Sequence, residues 1–409
     1  MALPITANQI DISTSSHYMP INNPVKICIL GGGFGGLYTA LYLSKLPEIR
    51  AGKCEILLIE QRDHFLFTPL LYELITGELQ CWEIAPSYQK LLANKNINFC
   101  QEIAQQINLK TRQVALKSGA ILNYDYLVLA IGTENRWVEI PGLKTHALTF
   151  RTLEDVEILQ GKLRLLEGSQ HQHLRLAIIG GGPNGVELAC KLADRLGKRS
   201  QVWLVERGEQ ILAGFSAGVR QASYRALGRR GVQIMLRTEV KEITADSFTL
   251  LREGKTVTLP VDLPIWAAGT QVRDWIRQLD CEKNSQGKLL THPTLQLLAY
   301  PEVFALGDLA EVRNCEKLVP ATAQAAYQQA KSAANNLGAT IRGRRLQPFR
   351  YLHLGDMLAL GQGVAIVSSF GLNLEGKLAG FVRRMAYIFR LPTSRHRWQV
   401  LRNFLRVRR

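Results

Sequence analysis

One arrangement limits this chain more than any other: an apolar strand, a glycine turn and a helix start, used twice, with Gly31 and Gly180 149 positions apart. The first copy is VKICILGGGFGGLYTALYL (25–43) and the second LRLAIIGGGPNGVELACKLADRL (174–196). CEILLIEQRD (54–63) and YDYLVLAIGTE (124–134) follow the first; QVWLVERGE (201–209) and LPIWAAGT (263–270) follow the second. Short apolar runs bounded by turns read as strands buried on both faces of a parallel sheet. VFALGDLAEV (303–312) reads as one more, and helices are expected from Arg151 and over 320–337. Two copies of one plan predict an α/β chain with two Rossmann-like dinucleotide-binding domains.

Each turn has the spacing Gly-x-Gly-x-x-Gly: Gly31, Gly33 and Gly36 in the first, Gly180, Gly182 and Gly185 in the second. The first glycine permits the tight turn, the second lets backbone approach a pyrophosphate, and the third lets helix pack on strand. The helix start then offers its N–H groups and positive dipole end to phosphate. Glu60, 24 residues past Gly36, and Glu206, 21 past Gly185, end the following strands, where an acid accepts hydrogen bonds from a ribose. A charge at Glu206 favours the free hydroxyls of NADH, whereas neighbouring Arg207 softens discrimination against NADPH. Two such sites imply a flavin and a nicotinamide nucleotide, whose exchange needs stacked rings and no protein nucleophile.

Composition narrows the alternatives. Cysteines 28, 54, 81, 100, 190, 281 and 315 form no CxxC or CxxxxC pair, so no disulfide framework or redox dithiol is expected. The eight histidines lack HxxxH and HExxH spacing, His171 and His173 read as solvent-facing, and no metal site is expected. The first 24 residues hold no Lys or Arg and read as a flexible leader, not a signal peptide. No run of roughly 20 apolar residues occurs, so membrane contact would be peripheral. The formal charge is +16, and residues 376–409 carry ten Lys and Arg with no Asp or Glu. Such an end suits an anionic surface, membrane or nucleic acid. A nucleic-acid-binding protein, however, would leave both fingerprints without a use.

The paired fingerprints, LAIGT with Gly132, and Gly307-Asp308 resemble the two-dinucleotide-binding flavoprotein superfamily, of glutathione-reductase-like fold. Within it, FTPLLYELITGEL (67–79), GVEL (185–188) and AQAAYQQ (323–329) resemble the type II NAD(P)H:quinone oxidoreductases. That resemblance implies FAD at the first fingerprint, Gly132, Gly307 and Asp308, with NADH or NADPH as co-substrate at the second. It implies catalytic roles for Glu187, which would pass protons to the reduced quinone, and for Gln324 and Gln328. These glutamines are four apart on one helix face and would approach the flavin ring and quinone head group with neutral amides. ELITGELQCWEIAP (73–86), FRYLHLGDMLALGQGVAI (349–366) and MAYIFRLPTSRHRW (385–398) resemble the cyanobacterial and plastid branch. Its members reduce naphthoquinones, notably demethylphylloquinone, towards phylloquinone. A general type II dehydrogenase reducing plastoquinone stays open. A disulfide reductase or sulfide:quinone oxidoreductase would need cysteines near the flavin, and no Cys follows 315.

The expected division is a leader (1–24), an FAD-binding domain (25–150 and 291–345), an NAD(P)H-binding domain (151–290) and a membrane-associating region (346–409). From Arg395 on, Trp398, Val400, Leu401, Phe404, Leu405 and Val407 occupy one half of a helical wheel. Arg395, Gln399, Arg402, Asn403, Arg406 and Arg409 occupy the other. Such an amphipathic helix suits lipid, the protein's own body or the partner of a homodimer, and the lack of any acid favours an anionic membrane surface. The expected place is the cytoplasmic side of a thylakoid or plasma membrane, with a non-proton-pumping reaction and a membrane quinone as partner.

Overall fold

The computed structural model describes residues 24–168, 173–314 and 317–407. Nearly all of the expected leader, together with His171, Cys315, Arg408 and Arg409, lies outside these residues.

Val25–Leu30, Cys54–Glu60, Asn98–Gln101 and Tyr126–Leu129 form one parallel sheet with Val303–Ala305 added at its edge, in the order 303–305, 126–129, 25–30, 54–60, 98–101. Leu148–Thr149, Leu174–Ile179, Ser200–Val205, Gln233–Met235 and Leu263–Trp266 form a second parallel sheet, with 174–179 at its centre. Each sheet's unit also carries an antiparallel three-stranded sheet, over 104–123 in the first and 238–260 in the second. Both central strands are buried along most of their length, which is why they read as continuous apolar runs.

Helix α1 (Phe34–Leu43) leaves the first glycine turn and α2 (Pro183–Leu196) the second. The expected strand over 303–312 stops at Ala305, because Gly307 takes φ +77° and the chain makes a tight turn. Helix α3 (Ala323–Ile341) then packs along α1, with the Tyr38 and Tyr327 ring centres 4.6 Å apart. A three-stranded antiparallel sheet (356–375) leads into α4 (Gly376–Arg390) and α5 (Ser394–Val407).

The wheel expected to meet lipid as one apolar face divides in the fold. Val400 is buried and Phe404 packs near Phe381 of α4, with ring centres 6.1 Å apart, because α5 folds back on the body. Trp398 and Leu405 remain exposed, and α4 adds the exposed Leu378, Phe381, Val382 and Phe389. No helix among the described residues is long and apolar enough to cross a membrane.

Candidate active site

The two turns are built to one geometry. Gly31 has φ +95°, and a Cβ there would lie 2.5 Å from the carbonyl oxygen of Ala130; Gly180 has φ +123° against Ala267. A Cβ on Gly36 would lie 1.8 Å from the Gly31 carbonyl oxygen, and one on Gly185 1.9 Å from that of Gly180. These four positions exclude any side chain. At Gly33 and Gly182 a Cβ would meet nothing within 4 Å. These middle glycines cap α1 and α2 with no side-chain hydrogen bond, so both helix starts face open space with donors suited to phosphate.

The two acids brace the turns. Glu60 accepts hydrogen bonds from the N–H of Gly32 (2.8 Å) and of Arg62 (3.2 Å). Glu206 accepts from Gly181 and Gly208, each at 2.6 Å. Glu60 Oε1 also accepts from Arg62 Nε at 3.3 Å, so Oε2 of Glu60 and both oxygens of Glu206 keep a further lone pair for a ribose hydroxyl. Beside the first turn, Gly132 adopts φ +65° and Thr133 accepts a hydrogen bond from Arg151 at 3.1 Å. Burial lowers Arg151 below the usual arginine range, Asp308 opposes this, and Arg273 and Arg62 push the same way as burial. Arg151 thus lies within electrostatic reach of Asp308, Arg273 and Arg62. The Gly307 N–H donates to Gln329 at 2.7 Å, so this glutamine fixes the Gly-Asp turn.

Gln324 and Gln328 share a helix face, and their amides grip the extended segment 351–355. Gln328 donates to the Leu352 carbonyl at 2.8 Å and accepts from the Leu352 N–H at 3.0 Å. Gln324 accepts from the Leu354 N–H (2.9 Å) and donates to the Gly355 carbonyl (3.3 Å). Glu187 sits elsewhere, in a buried ionic cluster. It accepts from the Ala359 N–H at 2.7 Å and from Arg383 at 3.2 Å. Arg383, 4% exposed, also pairs with Glu73 and donates to the Pro69 carbonyl at 2.7 Å. Lys191, one turn beyond Glu187 on α2, pairs with Glu78. Burial raises the Glu187 carboxyl to about 7, against the pull of Arg383 and the Ala359 N–H. Burial also pushes Glu73 up, but Arg383 and Lys191 outweigh it and hold that carboxyl below its ordinary range.

The pyridine nucleotide-disulphide oxidoreductase family model matches residues 25–330, spanning both turns and the Gly-Asp. The chain is 44% identical to the demethylphylloquinone reductase of Synechocystis sp. over 93% of its own length and 95% of that protein. The chain belongs to this oxidoreductase family, in its NAD(P)H:quinone oxidoreductase branch. It is also 35% identical to an alternative NAD(P)H-ubiquinone oxidoreductase of Arabidopsis thaliana, covering 93% of this chain and 80% of that one. In fold it is similar to the NDH2 of Plasmodium falciparum solved with NADH, at a TM-score of 0.83 and 19% identity over 94% of this chain and 98% of that one.

The residues of this quinone oxidoreductase fit a flavin dinucleotide and a nicotinamide one. Each turn is open only at its middle glycine, each helix start lacks a side-chain cap, and Arg151 is a half-buried cation beside the first turn. Sequence reading missed Glu73, Lys191, Arg383, Gln329 and Arg151. Glu73 stands in the quoted apolar run 67–79, and Lys191 follows Glu187 by four, so each offered a local hint. Arg383 was counted with the cationic tail, but it turns inward because two buried carboxylates face it.

Proposed function

We propose that this quinone oxidoreductase oxidises NADH or NADPH and reduces a membrane naphthoquinone of the demethylphylloquinone type, working peripherally on the cytoplasmic face of an anionic membrane. Two turns of one geometry in a single chain, each open only where a pyrophosphate would lie, carry this reading. When bound, the flavin supplies two-electron transfer between nicotinamide and quinone. Gly31, Gly33 and Gly36 with Glu60, Gly132, Gly307 and Asp308 would hold its nucleotide portion. Gly180, Gly182 and Gly185 would seat the nicotinamide coenzyme, with Glu206 as acceptor for its ribose. The name of the Synechocystis relative supports the choice of quinone.

The chain's own chemistry is proton and position. Glu187, with its carboxyl near 7, holds a proton that quinone reduction consumes, and Arg383 orients it. Gln324 and Gln328 position segment 351–355, so their effect on the quinone is exerted through that segment as well as through any amide contact. Trp398, Leu405 and the exposed apolar residues of α4 supply the lipid-facing surface. The test is oxidation of NADH and of NADPH by the flavin-loaded protein, with short-chain naphthoquinones and benzoquinones compared. Faster turnover with naphthoquinones is expected. A preference for benzoquinones would reassign the acceptor to the plastoquinone type, and coenzyme oxidation indifferent to quinone would sink the assignment.

A further inference from the structure

A cleft of about 520 Å³ lies away from both glycine turns, where the C-terminal end of α1, the short helix Pro47–Arg50 and residues 94–96 meet the start of α5. Lys45, Arg50, Lys95 and Arg397 line it, with Ser44, Thr393, Ser394, Asn94 and Asn96, and no Asp or Glu does. The one acid of the adjoining short helix, Glu48, is turned to Arg342 at 3.0 and 3.1 Å. Arg397 donates its Nε to the Leu391 carbonyl at 2.6 Å, which fixes the guanidinium at the cleft. Four cations with hydroxyl and amide donors, unopposed by a carboxylate, form a receptor for a compact multivalent oxyanion. A guanidinium fork beside ammonium groups matches phosphate.

We infer that this cleft binds a phosphate-bearing anion, and that its source is the headgroup of an anionic phospholipid. The choice of source rests on the peripheral-membrane reading above; the anion chemistry does not. At 3.6 residues per turn, Ser394, Arg397, Trp398, Leu401 and Leu405 fall within an arc of about 100° on α5. The exposed Trp398 and Leu405 therefore continue the face on which Ser394 and Arg397 line the cleft. A headgroup in the cleft would leave its acyl chains running along that apolar strip. A free phosphate would use the cleft and ignore the strip.

The experiment uses the full-length flavin-loaded protein, with neutral replacements Lys45→Ser, Arg50→Ser and Lys95→Ser combined. A charge-matched control combines Lys198→Ser, Arg252→Ser and Lys255→Ser, exposed positions of the second unit. Binding of inorganic phosphate is read by calorimetry, and binding to phosphatidylglycerol and to phosphatidylcholine vesicles by flotation. The cleft variant should lose phosphate binding and weaken on phosphatidylglycerol by at least about tenfold, since each basic residue near an anionic surface contributes appreciably, while the control changes little. Lys45→Arg with Lys95→Arg should keep both activities, which separates loss of charge from loss of fold. Loss of phosphate binding with vesicle binding untouched would overturn the lipid source and leave a soluble phosphate compound as the ligand. Equal losses in variant and control would reduce the effect to diffuse charge and overturn the site. Intact protein that binds no vesicles but still binds phosphate through the cleft would sink the membrane reading while keeping the anion site.

Discussion

Helices α1 and α2 leave equivalent glycine turns, yet two residues past the third glycine the first carries Tyr38 and the second Glu187. Four residues further on, the pair is Tyr42 and Lys191. Tyr38 donates to the carbonyl of Arg390 at the end of α4, and Tyr42 to the Tyr327 hydroxyl at 3.0 Å. Glu187 instead meets Arg383 of the same helix, and Lys191 meets Glu78. Burial pushes the Tyr38 hydroxyl far above the usual tyrosine range, so that position stays neutral at any working pH. At the matching place in the second unit, burial brings a carboxyl to about 7, where it can gain or lose a proton. The turn geometry is thus indifferent to what the helix carries. One copy is a neutral aromatic scaffold, and the other stores charge.

The most damaging change is a side chain at a third glycine. Gly36→Val forces atoms against the Gly31 carbonyl and should yield protein without flavin, with activity down by more than about a thousandfold. Gly185→Val should keep flavin and lose coenzyme oxidation to a similar degree. Flavin absorbance and NADH oxidation read both, and a flavin-loaded Gly36→Val protein would break the assignment of the two turns.

Removing Arg383 strikes only the charged side. Arg383→Met leaves Glu73 and Glu187 without their shared cation and should cost about 3–5 kcal/mol in urea unfolding. Arg383 normally lowers the Glu187 carboxyl, so in its absence the carboxyl is protonated more readily and the loss should shrink at acid pH. An equal loss at about pH 6 and about pH 8 would mean that Glu187 is not part of the cluster's proton balance.

Glu187→Gln tests the proton itself. Glu73, Lys191, Arg383, Tyr72 and Tyr387 surround this carboxyl. In the unaltered protein the quinone step should slow as pH rises through about 7, because the protonated form is lost. The amide variant should be slower by about a hundredfold in acid and show no such inflection. The stability effect has the same sign: a raised carboxyl contributes fully below the ordinary carboxylate range and loses that contribution as pH rises through about 7. Stopped-flow reoxidation across pH reads the first effect and urea unfolding the second. An unchanged inflection in the variant would place the titrating group elsewhere.

Tyr38→Phe should do least. Deleting one hydrogen bond to the Arg390 carbonyl is expected to cost about 1 kcal/mol, equally across neutral pH, with flavin content unchanged. A pH-dependent loss would blur the contrast between the two helices.

The glycine turns were legible because their constraints are local. Gly36 is barred from carrying a side chain by the Gly31 carbonyl five residues before it, and no distant partner alters what it can tolerate, although Gly31 is also fixed by distant Ala130. The acids Glu60 and Glu206 were legible in position but not in their second task, since bracing Gly32 and Gly181 depends on the strand-to-turn path. Pairings across the chain left no periodic trace. Arg383 and Glu73 stand 310 residues apart, and in the sequence that arginine is one of ten similar cations. Gln329 was overshadowed for the same reason: its neighbour Gln328 shares the helix face of Gln324, whereas the bond from Gly307 appears only once α3 lies against the first sheet. The wheel of α5 gave the right helix but not which part of its apolar half the body would cover.

Helix α4 touches both units at matching places, Tyr38 reaching the Arg390 carbonyl and Glu187 reaching the Arg383 side chain two turns earlier. Hinge motion between the units would have to stretch one of these joints, so α4 works as a crossbar between the two glycine-turn units. The same bar carries Leu378, Phe381 and Phe389 to the surface. Leverage applied to those side chains from outside would arrive at the bracket that joins the two units, without either glycine turn being touched.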